Sequence, residues 1–250
     1  MLKSIVLSAF GAGLLVGVVL TGVQMVTTEP LILRGETYEQ AAEVPAPAAS
    51  VAVAGASAAE PAHPHDDAAA ASEAHHHEAG AWQPADGFER SAYTLLANLL
   101  MGVAVSAILL GVMMVKGDPI DARRGVLWGL GGFFAASLMP ALGLAPELPG
   151  TAAAEITSRQ LWWLGTAAAS AVGLALVVFA RFYLVKAIGV MLAIVPHVIG
   201  APRPPTLEAA YPAALGAEFV VASLVASALL WSLAGLSSAW LYERLQRAAG

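Results

Sequence analysis

The chain has 250 residues, 58% of them hydrophobic and only 12% charged, with a formal net charge of −6 and no cysteine. Soluble domains carry about 25% charged residues, so this composition excludes an ordinary water-soluble globule and points to a lipid bilayer as the main partner, with no nucleic-acid partner expected. Without cysteine there are no disulfides, thiolate metal sites or cysteine nucleophiles.

Behind Lys3, residues 4–23 form the first apolar run, with Gly11, Gly13 and Gly17 inside it. About 20 apolar residues cross a bilayer core of roughly 30 Å, and the run is long for the core of a signal peptide and lacks an A-x-A cleavage pattern after it. A retained first helix over residues 1–26 is therefore expected. Cleavage would remove it and leave five spans.

Residues 27–90 differ sharply, with eleven acidic residues against Arg34 and Arg90. Ala, Pro, Ser, His and acids dominate from about residue 44, and such a composition buries too little to offset its ordering entropy. This stretch is expected to be an extracytoplasmic, largely disordered loop. Within it, HPHDDAAAASEAHHHE (63–78) carries His63, His65, His75, His76 and His77. Imidazoles with carboxylates suit first-row divalent ions, though a flexible chain selects poorly among Co²⁺, Ni²⁺ and Zn²⁺. The competing view is a solvated low-complexity spacer.

Residues 91–250 hold five more apolar stretches, near 93–115, 126–144, 161–180, 182–199 and 215–236. One helix over 161–199 would be about 58 Å long, twice the hydrocarbon thickness. A hairpin turning at Arg181 is expected instead, with Lys186 reaching the headgroups. Six spans with both termini cytoplasmic put Lys3, Lys116, Arg123, Arg124, Arg181, Lys186, Arg244 and Arg247 inside, against Arg34, Arg90, Arg159 and Arg203 outside. That satisfies the positive-inside rule. The expected fold class is an all-α polytopic membrane protein of six transmembrane helices.

The same topology places all six histidines and most carboxylates on the outer face. There PALGLAPELPG (140–150) is broken by three prolines, and PHVIGAPRP (196–204) interrupts a helix beside His197. Glu147, Glu155, His197, Glu218 and Glu29 are the candidate metal ligands of an outer-rim site. Ionisable groups in a span mark a function or a buried partner, and Arg159 is a possible structural partner for Glu218. Trp162 and Trp163 suit an aromatic belt. Gly13/Gly17 and Gly125/Gly129 suit helix packing in lipid, and the methionines suit packing too. Neither G-x-x-x-x-G-K-[ST] nor H-E-x-x-H is present, and no catalytic constellation suggests an enzyme. The inner halves look poor in polar groups beyond Ser106 and Thr166.

The strings GAGLLVGVVLTGVQMVTTEPLI (11–32), RRGVLWGLGGFFAASLMPALGLAPELPG (123–150), RQLWW (159–163), PHVIGAP (196–202) and the tail Tyr242-Glu243-Arg244 resemble the CbtA family of predicted cobalt transporter subunits. The resemblance implies a bacterial inner-membrane protein that takes up Co²⁺ for cobalamin synthesis. It also implies a small single-span, His-bearing partner subunit. The residues alone do not choose Co²⁺ over Ni²⁺ or Zn²⁺. They leave open a membrane scaffold or metal sensor that binds without translocation.

Overall fold

The structure is a computed structural model that describes residues 2–43, 84–206 and 208–249. The described residues are helical except for connecting turns and one isolated bridge between Thr151 and Ala209. Helix α1 spans Leu2–Val26 and α2 spans Thr28–Glu43. Pro30 falls in the first turn of α2, where its missing N–H leaves no bond unmade. Helix α3, Phe88–Lys116, ends at Gly117, whose φ of 78° lets its N–H reach the Met113 and Met114 carbonyls.

Asp121 then caps α4, Ala122–Phe133, by accepting from the Arg124 N–H at 2.9 Å. The helix widens into a π turn over Phe134–Leu138 and closes as α5, Met139–Ala141. Pro140 has no N–H to offer the Ala136 carbonyl, and the wider turn ahead of it accommodates that loss. Residues 122–141 thus make one rod about 30 Å long. Helices α6, Ile156–Phe179, and α7, Tyr183–Ile199, are separated by extended backbone at Ala180 and Phe182. Helix α8 covers Ala213–Ala249.

Among the described residues, four helices are long and apolar enough to cross a membrane: α1, α3, α6 and α8. Helix α7 is apolar but shorter, at 17 residues. The expected hairpin at Arg181 is present, because Gly173 of α6 meets the Gly189 carbonyl of α7 across the turn. The loop expected over 27–90 begins with a helix, α2. Its glutamates 29, 36 and 39 recur at helical spacing, a period masked by the Ala- and Pro-rich tract that follows. The stretch 44–83, with its five histidines, lies outside the described residues.

Lipid supplies no hydrophobic force between helices, so close backbone approach must bind them. A methyl group added at Gly13 would lie 2.4 Å from the Val103 backbone, and one at Gly17 would lie 2.7 Å from that of Leu99. The same construction at Gly125 meets the Gly235 carbonyl at 2.1 Å, and at Gly129 the Trp231 carbonyl at 2.3 Å. Both expected glycine pairs are therefore contact points, between α1 and α3 and between α4 and α8. Val16, Leu109, Leu110, Met113, Ala234 and Tyr242 fill the centre where α1, α3 and α8 meet.

These contacts are antiparallel, so the start of α1, the α3–α4 turn, the α6–α7 turn and the end of α8 share one end of the bundle. That end carries Lys3, Lys116, Arg123, Arg124, Arg181, Lys186, Arg244 and Arg247. The other end carries α2, the 142–155 segment and residues 200–206 and 208–212. Gly125→Ala is expected to force α4 from α8 and destabilise the protein by about 1–3 kcal/mol, as overpacking does. Gly111→Ala, where a methyl meets nothing within 4 Å, should leave it unchanged or slightly more stable; thermal unfolding in detergent compares the two.

Candidate functional site

The end opposite the basic residues carries the polar groups. Helix α2 lies over the ends of α1 and α3 away from the basic residues, and between them opens a cleft of ≈ 770 Å³ lined by Glu29, Glu36, Glu39, Asp86 and Arg90. Four carboxylates face one guanidinium, so its formal charge is strongly negative. Arg90 takes both oxygens of Glu36, at 2.8 and 3.2 Å, and reaches Asp86 at 3.0 Å. Glu39 accepts from the Gly150 N–H at 3.1 Å, which ties α2 to the proline-broken segment. Glu29 makes no ion pair and accepts no hydrogen bond among the described residues. Below the cleft the buried Asn98 amide donates to Thr21 at 3.0 Å and to Gln24 at 2.6 Å, joining α1 to α3.

A second cavity, ≈ 800 Å³, lies between α6, α8 and the α4–α5 rod, with Glu147, Arg159, Gln160, Ser137 and Ser227 among its lining residues. Arg159 pairs with Glu147 at 2.8 Å. It is thus Glu147, not Glu218, that holds this guanidinium. Glu155 caps α6, accepting from the Thr157 and Ser158 N–H groups at 2.7 Å each. Those two backbone bonds, Thr157 first, lower its carboxyl from 4.5 to about 2.

His197 sits in the last turn of α7, one residue after Pro196. Its ring meets Trp162 edge-on with centroids 5.8 Å apart, while the Trp162 indole N–H donates to the Pro196 carbonyl at 3.3 Å. The His197 Nε2 is buried without a partner. Glu218, in the second turn of α8, is exposed and makes no ion pair among the described residues.

The five outer-rim candidates are therefore dispersed. Glu29 belongs to the first cleft and Glu147 to the second, while Glu155 is committed to a helix end. Among the described residues, no group of three or more His, Asp or Glu side chains is close enough to hold a metal ion. The loop candidates His63, His65, His75, His76 and His77 lie outside the described residues. Sequence reasoning passed over Glu36, Glu39 and Arg90, and it undercounted buried hydroxyls: Ser8, Ser170 and Ser238 join Ser106 and Thr166, all fully buried. The i, i+4 spacing of Thr166 and Ser170 was the available signal.

A family model described as probable cobalt transporter subunit (CbtA) matches residues 2–243. No curated protein sequence and no solved structure matches the chain.

The lowered carboxyl of Glu155 gives a pH test. The cap favours the ionised form, so its contribution is complete above pH 4.5 and is lost as pH falls towards 2. Glu155→Ala should lower the melting temperature by a constant margin above pH 4.5, and that margin should shrink to nothing near pH 2.

Proposed function

The chain belongs to the CbtA family of probable cobalt transporter subunits, and we propose that it is the membrane component of a divalent-metal importer that takes up Co²⁺ for cobalamin synthesis. Membership supports a multi-pass membrane protein that works in metal transport as one subunit of a transporter. The finer reading is that six helices span a bacterial inner membrane with both termini cytoplasmic, and that the basic end faces inward as the positive-inside rule requires.

The observation that carries the proposal is the acidic cleft over α1 and α3. Four carboxylates against one guanidinium raise the local concentration of cations, most strongly at low salt. In this reading the loop histidines His63, His65, His75, His76 and His77 gather metal, and Glu29 receives it with an oxygen that is not committed elsewhere. His197 offers its unpartnered Nε2 as the imidazole ligand. Glu218, exposed on a membrane helix, suits a contact with the small single-span, His-bearing partner subunit. Glu147 and Glu155 join only if the metal displaces Arg159 or the cap of α6.

No nucleotide chemistry is needed. An inward-moving divalent cation gains about 4.6 kcal/mol per 100 mV of membrane potential, twice the single-charge value. A scaffold or sensor would bind at the same acidic end and pass nothing inward.

Labelled-cobalt uptake in cells lacking other cobalt importers, with and without the partner subunit, separates the two. Uptake that depends on this chain is the expected result, and metal binding without uptake would establish the sensor. His197→Ala should abolish uptake, whereas deletion of residues 63–78 should only raise the Co²⁺ concentration needed. Equal, mild effects of both changes would place the metal site elsewhere.

A further inference from the structure

Buried polar side-chain atoms nearly always find a partner, and the exceptions require a reason. Among the described residues such exceptions include Thr166 Oγ1, Ser170 Oγ and His197 Nε2, all on the α6–α7 hairpin. Thr166 and Ser170 are both 0% exposed.

Their place on α6 is informative. Arg159, Trp163, Thr166 and Ser170 follow the i, i+4, i+7, i+11 pattern, which puts all four on one stripe of the helix. Arg159 and Trp163 line the ≈ 800 Å³ cavity. Thr166 and Ser170 continue the same stripe inward, beyond its floor. Helix α6 packs against two irregular elements. One is the π turn Phe134–Leu138, which touches α6 and contributes Ser137 to the cavity. The other is α7, where Pro196 withholds an N–H and frees the Leu192 carbonyl one turn earlier. The Gly173–Gly189 contact sets the register of the hairpin. Counting equal rises from it, Leu192 lies level with Ser170, and Pro196 with Thr166.

Inward of the cavity, past the Arg159–Glu147 pair, the stripe thus offers neutral oxygens and no carboxylate. Neutral donors do not replace the whole water shell of a divalent ion, but they can accept hydrogen bonds from water bound to it. Weak binding of this kind is what passage needs, since an ion held tightly does not leave. We propose that the cavity between α6, α8 and the π turn is the outer vestibule of the ion path, and that the Thr166 and Ser170 hydroxyls with the Leu192 carbonyl form a transit site for a hydrated divalent cation. The site rests on the import reading above and gives it a location inside the membrane.

The test uses the full chain with its partner subunit, in cells lacking other cobalt importers, with rates normalised to surface protein. Thr166→Val and Ser170→Ala remove the hydroxyls at nearly constant shape. The double variant should lower the maximal rate of labelled-Co²⁺ uptake about tenfold while leaving the half-saturating concentration within about twofold, because the outer site is untouched. Its melting temperature should be unchanged or higher, since an unpartnered buried hydroxyl costs stability. Thr166→Ser combined with Ser170→Thr, which keeps both hydroxyls, should restore most of the rate. Wild-type rates in the Val/Ala double variant, or a lost rate accompanied by a lower melting temperature, would overturn the transit site while import stands. Absence of uptake by the wild-type chain would remove the import reading and the site with it.

Discussion

Close backbone contact at glycine is the constraint on which the rest of the structure depends. Lipid tails are as apolar as leucine, so burial alone does not draw helices together in a bilayer. Gly13, Gly17 and Gly102 seat α1 on α3; Gly125, Gly129 and Gly235 seat α4 on α8; Gly173 and Gly189 close the α6–α7 hairpin. Each contact leaves no room for a methyl group, and each fixes the depth of the polar residues on its helices. The Asn98–Thr21–Gln24 cluster holds its geometry because α1 and α3 cannot slide past one another. The level of Thr166 with Pro196 follows from the hairpin contact in the same way.

That rigidity is uneven. Helices α1, α3 and α8 enclose a continuous apolar centre, and α4 is welded to α8. The α6–α7 hairpin joins the rest mainly through the π turn and α5. It also carries Pro196 in the last turn of α7, His197 and two of the unpartnered hydroxyls. The well-packed helices therefore serve as a frame, although Ser8 and Ser106 leave unpartnered hydroxyls within it too, and the hairpin is the part that fewer neighbours constrain. A pathway that must open for an ion is best built from the less constrained part.

Much of the fold was legible in the chain. The apolar runs marked the membrane-length helices, excess length across 161–199 required the hairpin, and the spacing of Gly125 and Gly129 foretold a helix contact. Three things were not legible, for separate reasons. Helix α2 is polar on every turn, so hydropathy gives it no signal, and only the recurrence of Glu29, Glu36 and Glu39 marks it. The π turn depends on how residues 134–138 accommodate Pro140, a matter of hydrogen-bond geometry and not of composition. The dispersal of the rim carboxylates was hidden because a sequence lists Glu147 and Glu155 as available ligands, whereas Arg159 and the first turn of α6 occupy them.

Charge placement gives these parts a common logic. A site strongly negative at the bundle's end and neutral deeper in it would separate two tasks that conflict in a single place. Carboxylates at Glu29, Glu36, Glu39 and Asp86 concentrate cations where water still screens and solvates them. The same groups deeper in the bundle would bind a divalent ion too firmly to release it, and an unpaired carboxylate there would carry a heavy desolvation cost. Hydroxyls and a freed carbonyl avoid both penalties, because they guide bound water without trapping its ion. In the proposed import reading the basic residues at the opposite end would not block exit, since long side chains extend into the headgroups and the membrane potential favours inward movement of positive charge. Acidic collection, neutral transit and a basic, orienting end are, in the proposed import reading, successive consequences of where a few polar residues sit on an otherwise apolar frame.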